Sequence, residues 1–159
     1  MWGNQIFYKL FEIETLFIVG SSKFNTINER IKNESEIYKD IIQVEIIDHY
    51  KNLTNKITSL LVWANKYCHQ VPFIIKVDDD VLIKPDMFYN LLESFLNNTV
   101  ALNSLIGNIY VSTPPSRIGK YAVPVHEFKG VFPQYLEGPT YILPCLVIPK
   151  LIVGVKKTS

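Results

Sequence analysis

The residues FIIKVDDDV, at positions 73–81, change from apolar to acidic within a single step of the chain. The first five are mostly β-branched or aromatic, which is typical of a strand buried on both faces of a parallel sheet. Side chains two apart on a strand point the same way, so Asp78 and Asp80 are expected to face one crevice while Asp79 faces elsewhere. Hard carboxylate oxygens suit Mg²⁺ or Mn²⁺, which keep positions open for water and substrate phosphates. The stretch predicts a metal site for a nucleotide diphosphate, and a solvated acidic turn is the alternative.

The segments around this stretch alternate between strand-like and helix-like patterns. Strands are predicted at residues 11–19, 41–47, 73–77 and 107–112, and helices at about 26–40, at 54–68 and from residue 85 onward. Such alternation favours an α/β fold with right-handed crossovers onto a mostly parallel sheet, which binds ligands beyond the carboxyl ends of its strands. Because the three aspartates fall at one of these ends, the metal and nucleotide site is favoured over the solvated turn.

The composition narrows the class of protein. With 159 residues, 48% of them hydrophobic, the chain has the size and apolar content of one folded domain. A net charge of +1 gives no general attraction to nucleic acid or to an anionic membrane. No apolar run reaches the roughly 20 residues of a spanning helix, and no signal peptide is recognised. Glycine-rich phosphate loops are absent from the sequence, and its histidines lack the spacing of a zinc site.

Two smaller features concern covalent modification. Cys68 and Cys145 allow at most one internal disulfide, and two buried thiols are the expected state. Asn33, Asn52 and Asn97 each begin a glycosylation acceptor triplet, which matters only if the chain enters the secretory pathway.

A series of short segments extends along most of the chain. They are WGN (2–4), ES (34–35), DII (40–42), DHYKNLTNK (48–56), Trp63, Cys68, KVDDDV (76–81), KYAVP (120–124) and FPQYLEGPTY (132–141). Together and in this order they closely resemble the β1,3-galactosyltransferase family of Golgi hexosyltransferases. The resemblance implies a GT-A-like fold, a single nucleotide-binding α/β domain. It also implies a location on the lumenal side of the Golgi membrane, through an anchor upstream of this chain.

The chemistry implied by this resemblance is an inverting hexosyl transfer. Galactose or N-acetylglucosamine would pass from a UDP-sugar to a hydroxyl of an acceptor glycan in a β1,3 linkage, on a glycoprotein or a glycolipid. Mn²⁺ or Mg²⁺ would neutralise the charge that grows on the departing UDP, and a general base would take the proton of the acceptor hydroxyl.

The resemblance also assigns roles to individual residues. Asp80 corresponds to the main metal ligand, and Asp78 lies nearer the nucleotide and its ribose. Asp79 and Lys56 belong to the donor side, although an ordinary surface lysine is the alternative for Lys56. The pair Glu137–Gly138 matches the acceptor-side segment, where a glycine lets the backbone approach the sugar. A simple turn is the alternative for that pair.

The sequence also departs from the family pattern. Leu136 stands where the family usually has a cysteine, and the acidic Glu-Asp-Val segment that supplies the base has no counterpart after Tyr141. No catalytic base is therefore assigned. The interpretation is an incomplete family member, cut at both ends, with a galactosyltransferase-like domain at 1–143 and a divergent apolar tail at 144–159. Prolines are expected to deny this tail a long helix. The alternative function is an inactive chain that binds UDP-sugar or serves only as an interaction domain.

Overall fold

The computed structural model of the protein describes residues 13–158, so the segment at 2–4 and the start of the strand predicted at 11–19 lie outside the described residues. The described strands are β1 (Phe17–Ser21), β2 (Ile41–Ile47), β3 (Phe73–Val77), β4 (Ile106–Tyr110) and β5 (Tyr135–Pro144). The described α-helices are α1 (Asn25–Tyr38), α2 (Leu53–Tyr67), α3 (Pro85–Leu96) and α4 (Ile148–Thr158). Short 3₁₀ turns occur at Tyr50–Asn52, Ala101–Asn103 and Cys145–Val147.

Helix boundaries follow the local sequence closely. Helix α2 lies within one residue of its predicted ends, and Leu61 and Ala64 on its apolar stripe are buried. Helix α3 begins at Pro85, where the missing N–H removes no hydrogen bond, and Asp86 lies in its first turn near the positive end of the helix dipole.

The pairing of the strands corrects the expectation of a mostly parallel sheet. Among the described residues, β1 and β2 form a parallel pair, whereas β3, β5 and β4 form an antiparallel sheet in that order. Strand β5 comes last in the chain and yet lies in the middle of this sheet. An alternation of strands and helices does not reveal such an insertion, because pairing is decided by contacts between residues far apart in sequence. The α/β class is confirmed, with a mixed arrangement of strands.

A small apolar core joins β5 and α4 to α2. The Ile148 residue is 1% exposed and Leu143 is 3% exposed. Both belong to one cluster with the two buried residues of α2, so its members are Leu61, Ala64, Leu143 and Ile148. Residues on both sides of the predicted boundary between 143 and 144 therefore share a single core.

The C-terminal segment contains a helix of 11 residues beside its two prolines. Pro144 is the last residue of β5, and Pro149 is the second residue of α4. An N–H in the first turn of a helix has no partner within the helix, so proline is tolerated there. Leu151 and Ile152 of this helix pack against the core. The apolar segment thus finds its partner within the same chain.

Truncation of Ile148 tests this core directly. We expect Ile148→Ala to lower the free energy of unfolding by about 2–5 kcal/mol, because it removes buried methyl groups and leaves a cavity, and Ile148→Val to lower it by about 1 kcal/mol. The matched control is Val153→Ala on the same helix, where the side chain is 53% exposed. Urea denaturation followed by circular dichroism measures all three. Equal losses for Ile148→Ala and the control would contradict the packing of α4 on α2.

Both cysteines are free thiols, as expected, although they are partly rather than fully buried. Cys68 ends α2, where its amide donates to the carbonyl of Ala64, and the amide of Cys145 donates to the carbonyl of Pro72. Burial, with a smaller contribution from the neighbouring Cys68, raises the pKa of the Cys145 thiol to about 11. Burial also raises the pKa of Cys68, assisted by the charge of Glu14.

The raised pKa of Cys145 predicts slow alkylation of the folded protein. A pKa of about 11 leaves about one thiolate in a thousand at pH 8, and the rate should rise about tenfold for each pH unit above that. The folded state holds this proton more tightly than the unfolded state, so its contribution to stability is complete below about pH 8.5 and is lost as the pH rises towards 11. Iodoacetamide labelling with peptide mass spectrometry measures the rate. Labelling that is as fast in buffer as in urea would contradict this prediction.

Candidate functional site

The three aspartates occupy a turn that follows β3. The strand ends at Val77, the amide of Asp78 donates to the carbonyl of Pro139 at 2.9 Å, and the amide of Val81 donates back to the carbonyl of Asp78 at 3.2 Å. Asp79 and Asp80 are exposed at the tip of this acidic turn, residues 78–81. The alternation of side chains along a strand, from which the facing of the aspartates was predicted, therefore ends one residue before them.

A lysine inside β3 holds the base of the acidic turn. The ammonium of Lys76 forms an ion pair with the carboxylate of Asp78 and also donates to the carbonyl oxygen of Gly138 at 2.7 Å. The Lys76 side chain is 10% exposed, whereas that of Asp78 is 41% exposed. The sequence interpretation gave Lys76 no role. The available signal was a lysine within an apolar strand, two residues before an aspartate of opposite charge.

Tyr141 completes the surroundings of this ion pair. It pairs with Lys76 across the two strands, and the Lys76 ammonium lies 5.8 Å from the centre of its ring. Burial raises the pKa of the Tyr141 hydroxyl, and the negative charge of Asp78 raises it further. The tyrosine therefore stays neutral beside the ion pair at ordinary pH.

The predicted acceptor-side residues lie on β5, next to the acidic turn. Gly138 contacts Lys76 through its carbonyl oxygen, as described above, and a Cβ built on this glycine would meet no described atom within 4 Å. The carboxylate of Glu137 accepts from the side-chain amide of Asn108 at 2.8 Å and from the hydroxyl of Tyr110 at 3.2 Å. The hydrogen bond to Glu137 is the main reason that the pKa of Tyr110 is raised. The structure thus brings Asp78 and the pair Glu137–Gly138 to adjoining strands.

Lys56 belongs to a different polar cluster, beyond the carboxyl ends of β1 and β2. Its ammonium lies 2.9 Å from the carboxylate of Asp48, which also accepts from the amide of Gly20 at 2.9 Å. The Gly20 amide is the largest cause of a lowered pKa at Asp48, burial opposes it, and Lys56 adds to the lowering. A Cβ on Gly20 would lie 2.5 Å from the carbonyl oxygen of Ile46, so the close approach of these two strands requires glycine.

Residues 13–158 contain neither a ready-made metal cluster nor a membrane-spanning helix. No group of three or more histidine, cysteine, aspartate or glutamate side chains in that range is arranged to hold a metal ion. In the same range, no helix has the length and apolar character needed to cross a bilayer.

The three glycosylation triplets lie in different local structures. Asn33 is within α1 and Asn97 directly follows α3. Asn52 lies at the start of α2, and its side-chain amide donates to the carbonyl of Ile47 at 2.9 Å.

Fold and site together define a mixed α/β protein with a carboxylate-bearing turn at the edge of an antiparallel sheet. The chain belongs to the galactosyltransferase family, because the model of that family matches residues 1–159. The resemblance carried by the short sequence segments is thereby confirmed.

Individual relatives agree with this assignment. The chain is 31% identical to lactosylceramide 1,3-N-acetyl-beta-D-glucosaminyltransferase of Mus musculus over 89% of its own length and 40% of the relative. It is also 31% identical to UDP-GlcNAc:betaGal beta-1,3-N-acetylglucosaminyltransferase 7 of Rattus norvegicus, over 82% of its length and 34% of the relative. Identity to beta-1,3-galactosyltransferase 1 of Mus musculus is 33%, over 58% and 28% respectively. The chain therefore spans at most about two fifths of the length of these curated relatives.

Replacing Lys76 tests how the acidic turn is held. We expect Lys76→Met, which keeps the apolar stem, to lower the free energy of unfolding by about 1–3 kcal/mol, because Asp78 and the Gly138 carbonyl lose their shared donor. The control is Lys129→Ala in an exposed loop, for which a change within about 0.5 kcal/mol is expected. Urea denaturation measures both. If the two variants were equally stable, the contacts of Lys76 would contribute nothing to the fold.

Proposed function

We propose that this protein binds a UDP-sugar through a divalent metal at Asp80 and Asp78 and transfers the hexose to a hydroxyl of an acceptor glycan. The sugar is galactose or N-acetylglucosamine and the linkage is β1,3, in line with the names of the relatives. The observation that carries this proposal is the acidic turn at the end of β3, hydrogen-bonded to β5, in a chain of the galactosyltransferase family.

The carboxylate oxygens of the acidic turn are ligands that fit Mn²⁺ or Mg²⁺. Both ions prefer oxygen ligands and usually keep several coordination positions for water and phosphate. One or two carboxylates on an exposed turn are therefore enough protein ligands to bind such an ion. Asp79 and Asp80 are exposed at the tip, and Asp78 is partly exposed at the base. When bound, the metal would supply Lewis-acid stabilisation of the departing UDP.

The remaining residues of the proposal divide between donor and acceptor. Lys76 fixes the Asp78 carboxylate, so that this side chain is already oriented before the donor arrives. Lys56 lies beyond the carboxyl ends of two parallel strands, which is where α/β sheets commonly bind ligands, and we assign it to the donor side. Glu137 and Gly138 form the acceptor side.

The acceptor in this proposal ends in a β-linked galactose on a glycolipid or a glycoprotein. The names of two relatives point to such acceptors, since one names lactosylceramide and the other names betaGal. We propose the lumen of the Golgi as the location, as the family resemblance implies.

A second candidate function is UDP-sugar binding without transfer. It is the alternative because no side chain among residues 13–158 has been assigned as the catalytic base. A transfer assay with a β-galactoside acceptor and each UDP-sugar separates the two functions, because only the first yields an elongated glycan.

Binding of UDP tests the donor site. We expect calorimetric titration of UDP into the purified chain to give heat with Mn²⁺ and none with a chelator. The variant Asp80→Ala should weaken binding at least about tenfold, because it removes the proposed main metal ligand. The matched control is Asp86→Ala, which alters an exposed aspartate in the first turn of α3. A folded chain that binds no UDP in the presence of Mn²⁺, or binds it equally well after Asp80→Ala, would exclude the proposed site.

A further inference from the structure

The two cysteines of the chain pack against the same small core. Cys68 directly follows the last residue of α2, and Cys145 directly follows the last residue of β5. Both side chains are partly buried, and both contact the core cluster that contains Leu143 and Ile148. The sequence contains two cysteines in all, so an internal disulfide can form only between these two residues.

The backbone also brings the two cysteine positions together. Phe73, the first residue of β3, is paired across the sheet with Pro144. The amide of Cys145 donates to the carbonyl of Pro72 at 2.9 Å. Pro72 lies only a short distance along the chain from Cys68, and the chain between them includes a turn. The segment that leaves α2 therefore folds back beside the residue that follows β5.

The electrostatics of the two thiols agree with this proximity. Burial is the larger cause of the raised pKa of the Cys145 thiol, and the neighbouring Cys68 is the smaller cause. A charge on one group shifts the pKa of another only when the two groups are close. The pKa of Cys68 is also raised by burial, so both thiols are neutral at ordinary pH and can lie side by side without repulsion.

We propose that Cys68 and Cys145 form a disulfide when the folded chain meets glutathione disulfide as the oxidant. The thiolate of one cysteine attacks a sulfur of the oxidant, which gives a mixed disulfide and releases one glutathione. The thiolate of the other cysteine then attacks the protein sulfur of that mixed disulfide and releases the second glutathione. Two protein thiols are oxidised, one glutathione disulfide is reduced, and the two thiol protons pass through water to the released glutathione thiolates.

The disulfide would cross-link the end of α2 to the end of β5. It would enclose residues 68–145, which include β3, the acidic turn, α3, β4 and β5. Because the pair Phe73–Pro144 lies next to Cys145, the bond would also fix the register of β5 against β3. The proposed lumenal location would supply oxidising conditions. The bond itself rests on the packing of the two cysteines and requires neither UDP binding nor hexosyl transfer.

Equilibration of the whole chain with glutathione at known thiol and disulfide concentrations tests this pair. Acid quenching, alkylation and peptide mass spectrometry give the fraction that carries the Cys68–Cys145 disulfide, and hence the effective concentration of one thiol at the other. We expect this effective concentration to be at least about 100-fold higher in native buffer than in urea, because the unfolded chain must close a long loop. By linkage, the oxidised chain should also unfold at a higher urea concentration than the reduced chain.

A matched control moves one thiol by a single position. The double variant Cys145→Ser with Leu146→Cys carries its second thiol where the side chain is 64% exposed and outside the core cluster. We expect its effective concentration in native buffer to be at least about tenfold lower than that of the unaltered chain, because a disulfide tolerates only a narrow range of separations and directions. Circular dichroism confirms that the variant is folded.

A high effective concentration in native buffer that falls both in urea and in the shifted variant upholds the disulfide. Equal values in native buffer and urea, equal values for the unaltered chain and the folded shifted variant, or disulfides that join two chains would overturn it. If the shifted variant does not fold, the comparison of native buffer with urea decides alone. Binding of UDP is measured separately, so its absence would remove the donor site and leave the disulfide in place.

Discussion

The structure depends on the insertion of β5 between β3 and β4. One end of this strand carries Leu143, which is buried in the core cluster with Leu61 and Ala64 of α2. Its other end carries Glu137 and Gly138, which contact β4 and Lys76. A slip of one residue in the pairing would turn every β5 side chain to the opposite face. The register of β5 against β3 fixes the core end of the strand, and a register shift in the pairing of β5 with β4 separates that end from Glu137 and Gly138.

Local elements could be predicted from the sequence where the pattern was strong. The bounds predicted for β2 and β3 agree with the structure, because short apolar runs between turn residues identify buried strands. The strand β5 was missed for the opposite reason. It includes Glu137-Gly138-Pro139, which has the composition of a turn, followed by an apolar run without alternation. Its place in the sheet follows from pairing with residues more than sixty positions earlier, and no local pattern contains that information.

The sequence predicted the position of the candidate site better than it predicted the contacts within the site. An acidic cluster directly after an apolar strand indicated the end of β3, and the structure has the acidic turn there. The role of Lys76 was not recognised because a lysine in a strand is usually exposed, whereas this one reaches a carbonyl on the neighbouring strand. The facing of the aspartates could not be derived, since the rule of alternation applies only while the chain remains extended. Nor could the pairing of Lys56 with Asp48 be foreseen, because it depends on how α2, which carries Lys56, approaches the end of β2.

The ion pair with Lys76 restrains the carboxylate of Asp78, whereas the carboxylate of Asp80 is free of this restraint. Asp78 is restrained by a lysine that is itself almost fully buried, so moving this carboxylate would leave a cation without its partner in a poorly solvated position. Asp80 lies on the exposed part of the turn and can adjust its carboxylate at little cost. In the proposed function, the restrained carboxylate of Asp78 would suit the constant part of the donor, and the adjustable carboxylate of Asp80 would suit a metal ion. The same lysine also contacts the carbonyl of Gly138 on β5, so a shift of this strand would alter the orientation of Asp78 directly.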